Sequence, residues 1–346
     1  MSLFVRRCVP LALALLGMAL LAAARPGAQA STGDGSGGRM FSADASFPHR
    51  DAGTAARPEK PGRATAAAIL GTDERVQIWD TTAYPWRAIT WLGLYDSNSD
   101  LVGHCTGTFI GPDTILTAAH CLWDSDTETW TEDIAVVPGK DGSYEPYEFE
   151  WAVNWWVPDG YFDSGGDNLW DWGVVKLGSS DLGMTVGWLQ VAQLTTETLS
   201  RADFQPAIVG YPGDKEGIEE WTMWGGIKDA FLEVADYDLY HDIDTYSGQS
   251  GSAIFSANTV DGAILGLVVG VHTTGGSTYN RGSRIDAELL DDIKEGCRVM
   301  ECTIMAYVEE GTEPSPTVSP AATPTAPPEL PGMPFRAFAP EVGRQR

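Results

Sequence analysis

Three serines, Ser247, Ser250 and Ser252, fall within six positions of the run DIDTYSGQSGSAIF at residues 242–255. A serine hydroxyl is inert at neutral pH unless a base takes its proton and donors hold the oxyanion that follows. The base should be one of five histidines: His49, His104, His120, His241 or His272. His120 ends TILTAAHC directly before Cys121, where a structural histidine beside a disulfide is the simpler reading; His241 and His272 lie near the serines. A third group must orient the imidazole, and it should be a carboxylate kept ionised by hydrogen bonds. Asp171, in GGDNLWDWGVVKL, immediately precedes a strand-like run and so stands at a strand mouth. Asp167, four residues earlier in a Gly/Asn loop, has the setting of a turn cap.

These side chains are distant in sequence, so the intervening elements must bring them together. Short apolar runs recur between turn signals: RAITWLGLY, TGTFIG, TILTAAHCL, IAVVPG, WGVVKL, QPAIVGY, SAIFS and ILGLVVGVHT. That is the pattern of an all-β sandwich or barrel. One helical pattern stands late in the chain, RIDAELLDDIKEGC, with Ile285, Leu289, Leu290 and Ile293 on one face and acids on the other. The 13 tryptophans, clustered in WAVNWW and LWDWG, read as core and rim rather than as a sugar platform.

The ends of the chain differ from its middle. Arg6 and Arg7 precede PLALALLGMALLAAA, and Ala28–Ala30 offer small residues for cleavage, so residues 1–30 read as a secretory signal. Residues 31–67 lack a hydrophobic period and read as a pro-segment or spacer. The Pro/Thr-rich residues 311–346 read as an extended tail. Export leaves four cysteines, and an even number in an oxidising compartment favours disulfides. Neighbours in sequence make the natural pairs, Cys105–Cys121 and Cys297–Cys302. The first would tie down the segment that presents His120 and add ~3 kcal/mol by limiting the unfolded chain.

An excess of 48 Asp+Glu over 22 Lys+Arg argues against a nucleic-acid partner. No C-x-x-C or H-x-x-x-H spacing suggests a metal site. DSDTET, after His120, resembles part of a calcium loop but lacks its sixth-position glycine and twelfth-position glutamate, which leaves a structural calcium open. Catalysis should need no cofactor. The chain is expected to be secreted and extracellular, a monomer acting on polypeptides, with no membrane contact once the signal is removed.

In chain order, TAAHC, DWGVVKL and GQSGS resemble the trypsin-like serine protease superfamily, and more closely its secreted bacterial glutamyl endopeptidases. GVHTTGGSTYNRGSRI and the stretch ILGTDERVQIWDTTAYPWRAI are also similar to that family. An α/β-hydrolase needs G-x-S-x-G and the order Ser…Asp…His; position 252 is Ser and His120 comes first. The resemblance implies two antiparallel six-stranded β-barrels, residues 68–185 and 186–310, the second with a C-terminal helix. It further implies that Ser250 is the nucleophile, His120 the general base and then acid, and Asp171 the orienting carboxylate. The amides of Gly248 and Ser250 would form the oxyanion hole, with Ser247 and Ser252 as turn and pocket residues. Thr245 and His272 would line a pocket for a substrate glutamate, with aspartate a slower second choice. Gln249 replaces the acid that precedes the trypsin nucleophile, so a trypsin-type activation switch is unavailable. The freed terminus in some glutamyl endopeptidases helps bind the substrate carboxylate, which predicts activation by a cut near Ala68 or Ile69.

Overall fold

Each of the apolar runs becomes a strand. The computed structural model describes residues 37–43, 68–215, 222–260, 263–264 and 266–311. The expected signal, most of the pro-segment and the Pro/Thr-rich tail, apart from Gly311, lie outside the described residues.

The first half holds β1 (Gly38–Ser42), β2 (Val76–Gln77), β3 (Ile89–Tyr95), β4 (Leu101–Phe109) and β5 (Thr114–Thr117). A short hairpin, β6 (Trp123–Asp124) and β7 (Thr129–Trp130), precedes β8 (Asp133–Pro138), β9 (Glu150–Pro158) and β10 (Gly173–Leu177). One sheet runs β1-β9-β10-β5-β4-β3-β8, and a further β8–β9 pairing closes six of these strands into a barrel. All its pairings are antiparallel.

The second half holds β11 (Gln190–Gln193), β12 (Pro206–Gly210), β13 (Trp224–Ile227), β14 (Glu233–Val234) and β15 (Asp238–His241). It continues with β16 (Ala253–Ser256), the small hairpin β17 (Thr259–Val260) and β18 (Ala263–Ile264), β19 (Leu267–Gly275), β20 (Asn280–Arg284) and β21 (Ala306–Val308). Its sheet runs β14-β15-β20-β19-β16-β12-β13-β2, while β11 pairs in parallel with β19 and β21. The all-β architecture is as expected; the second sheet, however, curves as an open half-barrel rather than a closed one. The chain crosses back between the halves, since β2 belongs to the second sheet although it precedes the first barrel.

Strand β9, EWAVNWWVP, shows why alternation fails where both faces are covered. Trp155 stacks on Phe41 at 4.8 Å, while Trp156 meets Trp172 at 5.5 Å and packs on Gly296 of the C-terminal helix. That helix, Ala287–Met300, starts where the Asp286 carboxylate accepts the Leu289 amide at 2.8 Å, and it buries Leu289, Leu290 and Ile293. The apolar face of Leu289, Leu290 and Ile293 matches the sequence pattern, while Ile285 lies just before the cap and is buried ahead of the helix. Disulfides join Cys105 to Cys121 and Cys297 to Cys302, the pairs expected.

One element departs from the sequence reading. Gly38–Ser42 lies within the segment read as a pro-segment or spacer, yet it forms β1 along β9, with Phe41 in the core. Met40 and Phe41 make too short an apolar pair to give a periodic signal, and the strand's pairing partner lies more than a hundred residues away in sequence.

Candidate active site

Strand ends of the first barrel present two of the expected side chains. His120 occupies a short 3-10 turn, Ala119–Cys121, just after β5, and the disulfide to Cys105 on β4 anchors it. Asp171 closes another 3-10 turn, Asn168–Trp170, just before β10. Strands β5 and β10 are hydrogen-bonded neighbours, Gly173 opposite Thr117, so the two turns face each other. One Asp171 oxygen accepts the His120 amide at 2.9 Å, and the other lies 2.6 Å from Nδ1. A carboxylate only accepts, so Nδ1 carries the hydrogen and leaves Nε2 as the acceptor of the neutral ring. Asp171 is 2% exposed. Burial alone would push the His120 pKa down, but the charge of Asp171 and its hydrogen bond together outweigh that and hold the pKa above its ordinary value. Asp167 proves to be a turn cap, accepting the Leu169 amide at 2.9 Å.

Ser250 comes from the second half, in the turn before β16, and the first barrel fastens that turn. The Thr106 amide donates to Ser250 O at 2.9 Å, and the Thr106 hydroxyl donates to Gly248 O at 2.8 Å. The Tyr211 amide donates to the Thr106 oxygen at 3.0 Å. Thr106 is thus a positioning residue that no motif marked; an unremarkable threonine in TGTFIG carries no chemical signal. Gly248 has φ of +95°, and a Cβ there would meet His104 Nε2 at 2.3 Å, so glycine is required on both counts. The Gln249 amide bonds Tyr246 O at 2.9 Å, whereas the amides of Gly248 and Ser250 donate to no group among the described residues. Two amides on either side of an engaged one are thereby left available to an incoming oxyanion.

Gln249 is itself a fastener. Its Oε1 accepts the Tyr246 amide at 3.0 Å and Arg75 Nη1 at 3.5 Å, and its Nε2 donates to Trp224 O at 3.2 Å. Arg75 is buried between Asp73 and Asp214, which raise its pKa against the opposing effect of burial. Of the other two serines, Ser247 O accepts the Gly213 amide at 2.7 Å, and Ser252 is fully buried against Gly210.

Behind the turn lies a cluster of buried polar groups. His272, on β19, is tied to the Ser250 turn: the Gly251 amide donates to His272 O at 2.9 Å, and the His272 amide to Ser252 O at 2.8 Å. Its ring meets that of His241 edge-on at 5.5 Å, although β20 lies between their strands in the sheet. Both rings and the Thr245 hydroxyl are wholly buried, and none of their side-chain polar atoms makes a well-formed hydrogen bond among the described residues, although the backbone at Arg281 interacts with the His272 ring and that at Ile243 with the His241 ring. Burial, and then the charge of nearby His120, push the His272 pKa down to about 3. Burial, and then His272, lower that of His241 well below its usual value. Both imidazoles are therefore neutral at neutral pH. His241 went unassigned in the sequence, because contact across an intervening strand leaves no spacing to read.

Ala68 is held beside this cluster. Asn280 holds Ala68 by two bonds, Ala68 N to Oδ1 at 3.0 Å and Nδ2 to Ala68 O at 2.8 Å, and the Thr245 amide reaches Ala68 O at 3.3 Å. Asp244 accepts the amides of Leu70 and Glu74 at 2.7 and 2.8 Å.

The donor chemistry around His120 does not suit a metal. Cys105 and Cys121 approach it, but their sulfurs are bonded to each other and supply no thiolate. In DSDTET, Asp124 Oδ1 accepts the amides of Asp126 and Thr127 within its own hairpin, at 2.8 and 3.2 Å. No helix among the described residues is long and apolar enough to cross a membrane.

Comparison with known proteins points the same way as the geometry. A family profile described as "Trypsin-like peptidase domain" matches residues 105–267. A glutamyl endopeptidase of Bacillus licheniformis is 34% identical over 69% of this chain and 72% of its own. An extracellular metalloprotease of Bacillus subtilis, so named, is 33% identical over 66% of this chain and 69% of its own. Among solved structures, a Glu endopeptidase in complex with MPD superposes with a TM-score of 0.58 and 29% identity, covering 66% of this chain and 98% of that one.

Proposed function

Because the chain belongs to the glutamyl endopeptidase family of trypsin-like serine proteases, we propose that it cuts after glutamate, and more slowly after aspartate, using Ser250, His120 and Asp171. It is a serine endopeptidase acting on polypeptides. In the proposed mechanism Ser250 Oγ attacks the scissile carbonyl while His120 Nε2 takes its proton. The amides of Gly248 and Ser250 receive the oxyanion, and the collapse to an acyl-enzyme releases the amine with the proton returned by His120. Water then attacks the ester by the same route. Asp171 holds the imidazole in the needed tautomer and stabilises the imidazolium. No metal enters any of these steps.

The observation that carries the glutamate preference is the set of buried polar atoms on Thr245, His272 and His241 that make no well-formed hydrogen bond among the described residues. Polar atoms buried without partners cost stability. A substrate carboxylate would accept from the Thr245 hydroxyl and a His272 N–H, with His241 behind the second ring. Neutral donors suit glutamate without holding it as a full positive charge would. The pinned position of Ala68 supports activation by a cut near Ala68 or Ile69, which would deliver a new ammonium close to Thr245.

In this reading residues 1–30 direct secretion, residues 31–67 are the leader, and residues 68–185 and 186–310 are the two halves of a monomeric extracellular enzyme. Residues 311–346 are the Pro/Thr-rich tail. The test is a peptide series that varies only the residue before the scissile bond. Cleavage after Glu at least ~100-fold faster than after Gln is expected, because the pocket's donors require an acceptor charge. Equal rates for Glu and Gln would refute the specificity, and a His272→Leu enzyme that keeps the preference would refute the pocket.

A further inference from the structure

Strand β1 is built into the first barrel by every kind of contact a strand can make. Its five residues pair with β9, Gly38 opposite Pro158 through Ser42 opposite Asn154. The register is closed at both ends, with the Asp159 amide donating to Gly37 O at 2.8 Å and the Ala43 amide to Val153 O at 3.0 Å. Phe41 is 3% exposed, with its ring 4.8 Å from Trp155 and 5.5 Å from Trp130. Arg39 Nε pairs with Asp159 at 3.3 Å, and its guanidinium lies 4.2 Å from the Phe162 ring. Gly38 lies so close to Trp156 that a Cβ would fall 2.0 Å from the indole.

We propose that the body of the protein holds this leader strand without needing a covalent link. Cutting the chain within residues 44–67 would then leave residues 38–42 seated on β9 as a separate peptide. The groove is specific for an extended segment of the pattern Gly-Arg-x-Phe: no side chain against Trp156, a cation over Phe162, and an aromatic ring between Trp130 and Trp155. Among the described residues its occupant is this chain's own leader. The edge itself explains retention. Residues 154–156 of β9 bond β10 on one side and β1 on the other. Losing β1 would bare a row of backbone donors and acceptors beside an uncovered tryptophan, which is the template for pairing with foreign strands. The strand's neighbours are β9, the short helix Asp159–Asp163 and the C-terminal helix, so it completes a sheet rather than plugging the site.

The test uses the full chain carrying Ser250→Ala, to prevent self-cleavage, with one recognition sequence for a site-specific protease inserted within residues 44–67. After cutting, the protein is passed through gel filtration in buffer, and each fraction is weighed intact under denaturing conditions. The amino-terminal peptide should elute with the body in equal amount and leave it only in concentrated guanidinium. Phe41→Asp or Gly38→Leu in the same cut protein should release it in buffer. A peptide that separates from the cut parent in buffer overturns the proposal, as does one retained equally by folded Phe41→Asp protein. The parent measurement decides alone if the variants fail to fold, and neither arm depends on what the enzyme cuts.

Discussion

The two halves of the candidate site handle buried polarity in opposite ways. Around Asp171 the buried carboxylate is matched: both its oxygens accept from His120, and the carbonyls of Gly248 and Ser250 bolt the serine turn to Thr106. Around His272 the reverse holds, for the Thr245 hydroxyl and both imidazoles are buried with no well-formed hydrogen bond among the described residues. A matched cluster is complete within the chain and serves to hold geometry. An unmatched one is completed only by something that arrives, and a burial cost borne at rest is recovered when ligand binds. Catalytic preorganisation and substrate choice are thus separable, although Gly251 and His272 share a hydrogen bond.

The largest effects should come from breaking the matched side. Ser250→Ala should lower kcat by on the order of 10⁵-fold or more while the protein remains folded and secreted. Retained peptide-bond cleavage by the purified variant would end the assignment. Asp171→Asn should cost on the order of 10⁴-fold in kcat, since the amide can favour the wrong tautomer of His120. Asp171→Ala should also lower stability by about 2 kcal/mol, because the His120 amide and ring lose their acceptor; denaturant titration reads this.

His272→Leu tests the unmatched side and should divide differently. It should lower kcat/KM on glutamyl peptides by ~100-fold or more and leave the melting temperature unchanged or higher, since an imidazole without a well-formed hydrogen bond is replaced by an apolar group. A marked fall in stability would mean that the pocket is satisfied at rest, and the contrast would fail.

Acid should sharpen the contrast further. His272 binds its proton at about pH 3 when folded and near 6.5 when unfolded, so the unfolded state binds more protons between these values. Stability should therefore fall as pH drops from 6.5 towards 3, and His272→Leu should flatten that slope. His120 has the opposite shift, and the activity it supports should rise with pH through a single ionisation above 6.5. An inflection that belongs to His272 in the neutral range would contradict this.

The smallest effect lies outside the site, where Asp292 is unmatched in another manner. Burial first, then the surrounding acids Glu288, Asp291, Asp286 and Glu295, raise its carboxyl to about 7. The folded state keeps that proton while the unfolded state releases it near 4, so stability is lost as pH rises from 4 to 7. Asp292→Asn should raise the melting temperature at pH 8 by a degree or two, roughly, and change nothing at pH 4.

The strands were legible because their apolar runs are short, β-branched and bounded by turn residues, and the late helix because its apolar face repeats at the helical period. The disulfide pairs followed from proximity in sequence. Strand β1 was not legible, because two apolar residues make no pattern and its partner is β9. The serine cluster, the histidines and Asp171 could be named as candidates from residue type and position, and the resemblance then implied the roles of Ser250, His120 and Asp171. The tie from Thr106, the fastening by Gln249 and the contact of His241 with His272 could not be read, because each acquires meaning only from what the side chain touches.

Sequence by itself determined which serines, histidines and aspartates the chain offers as candidates, and where strands would form, because both depend on residue chemistry and local periodicity. Tertiary structure alone decided that Asp171 serves His120 with both its oxygens, that His241 stands against His272 across a strand, and that a piece of the leader extends a sheet. Each of these is a pairing between distant segments, set by sheet register and by the need of buried polar and apolar groups for partners, and neither is written in any short stretch of residues.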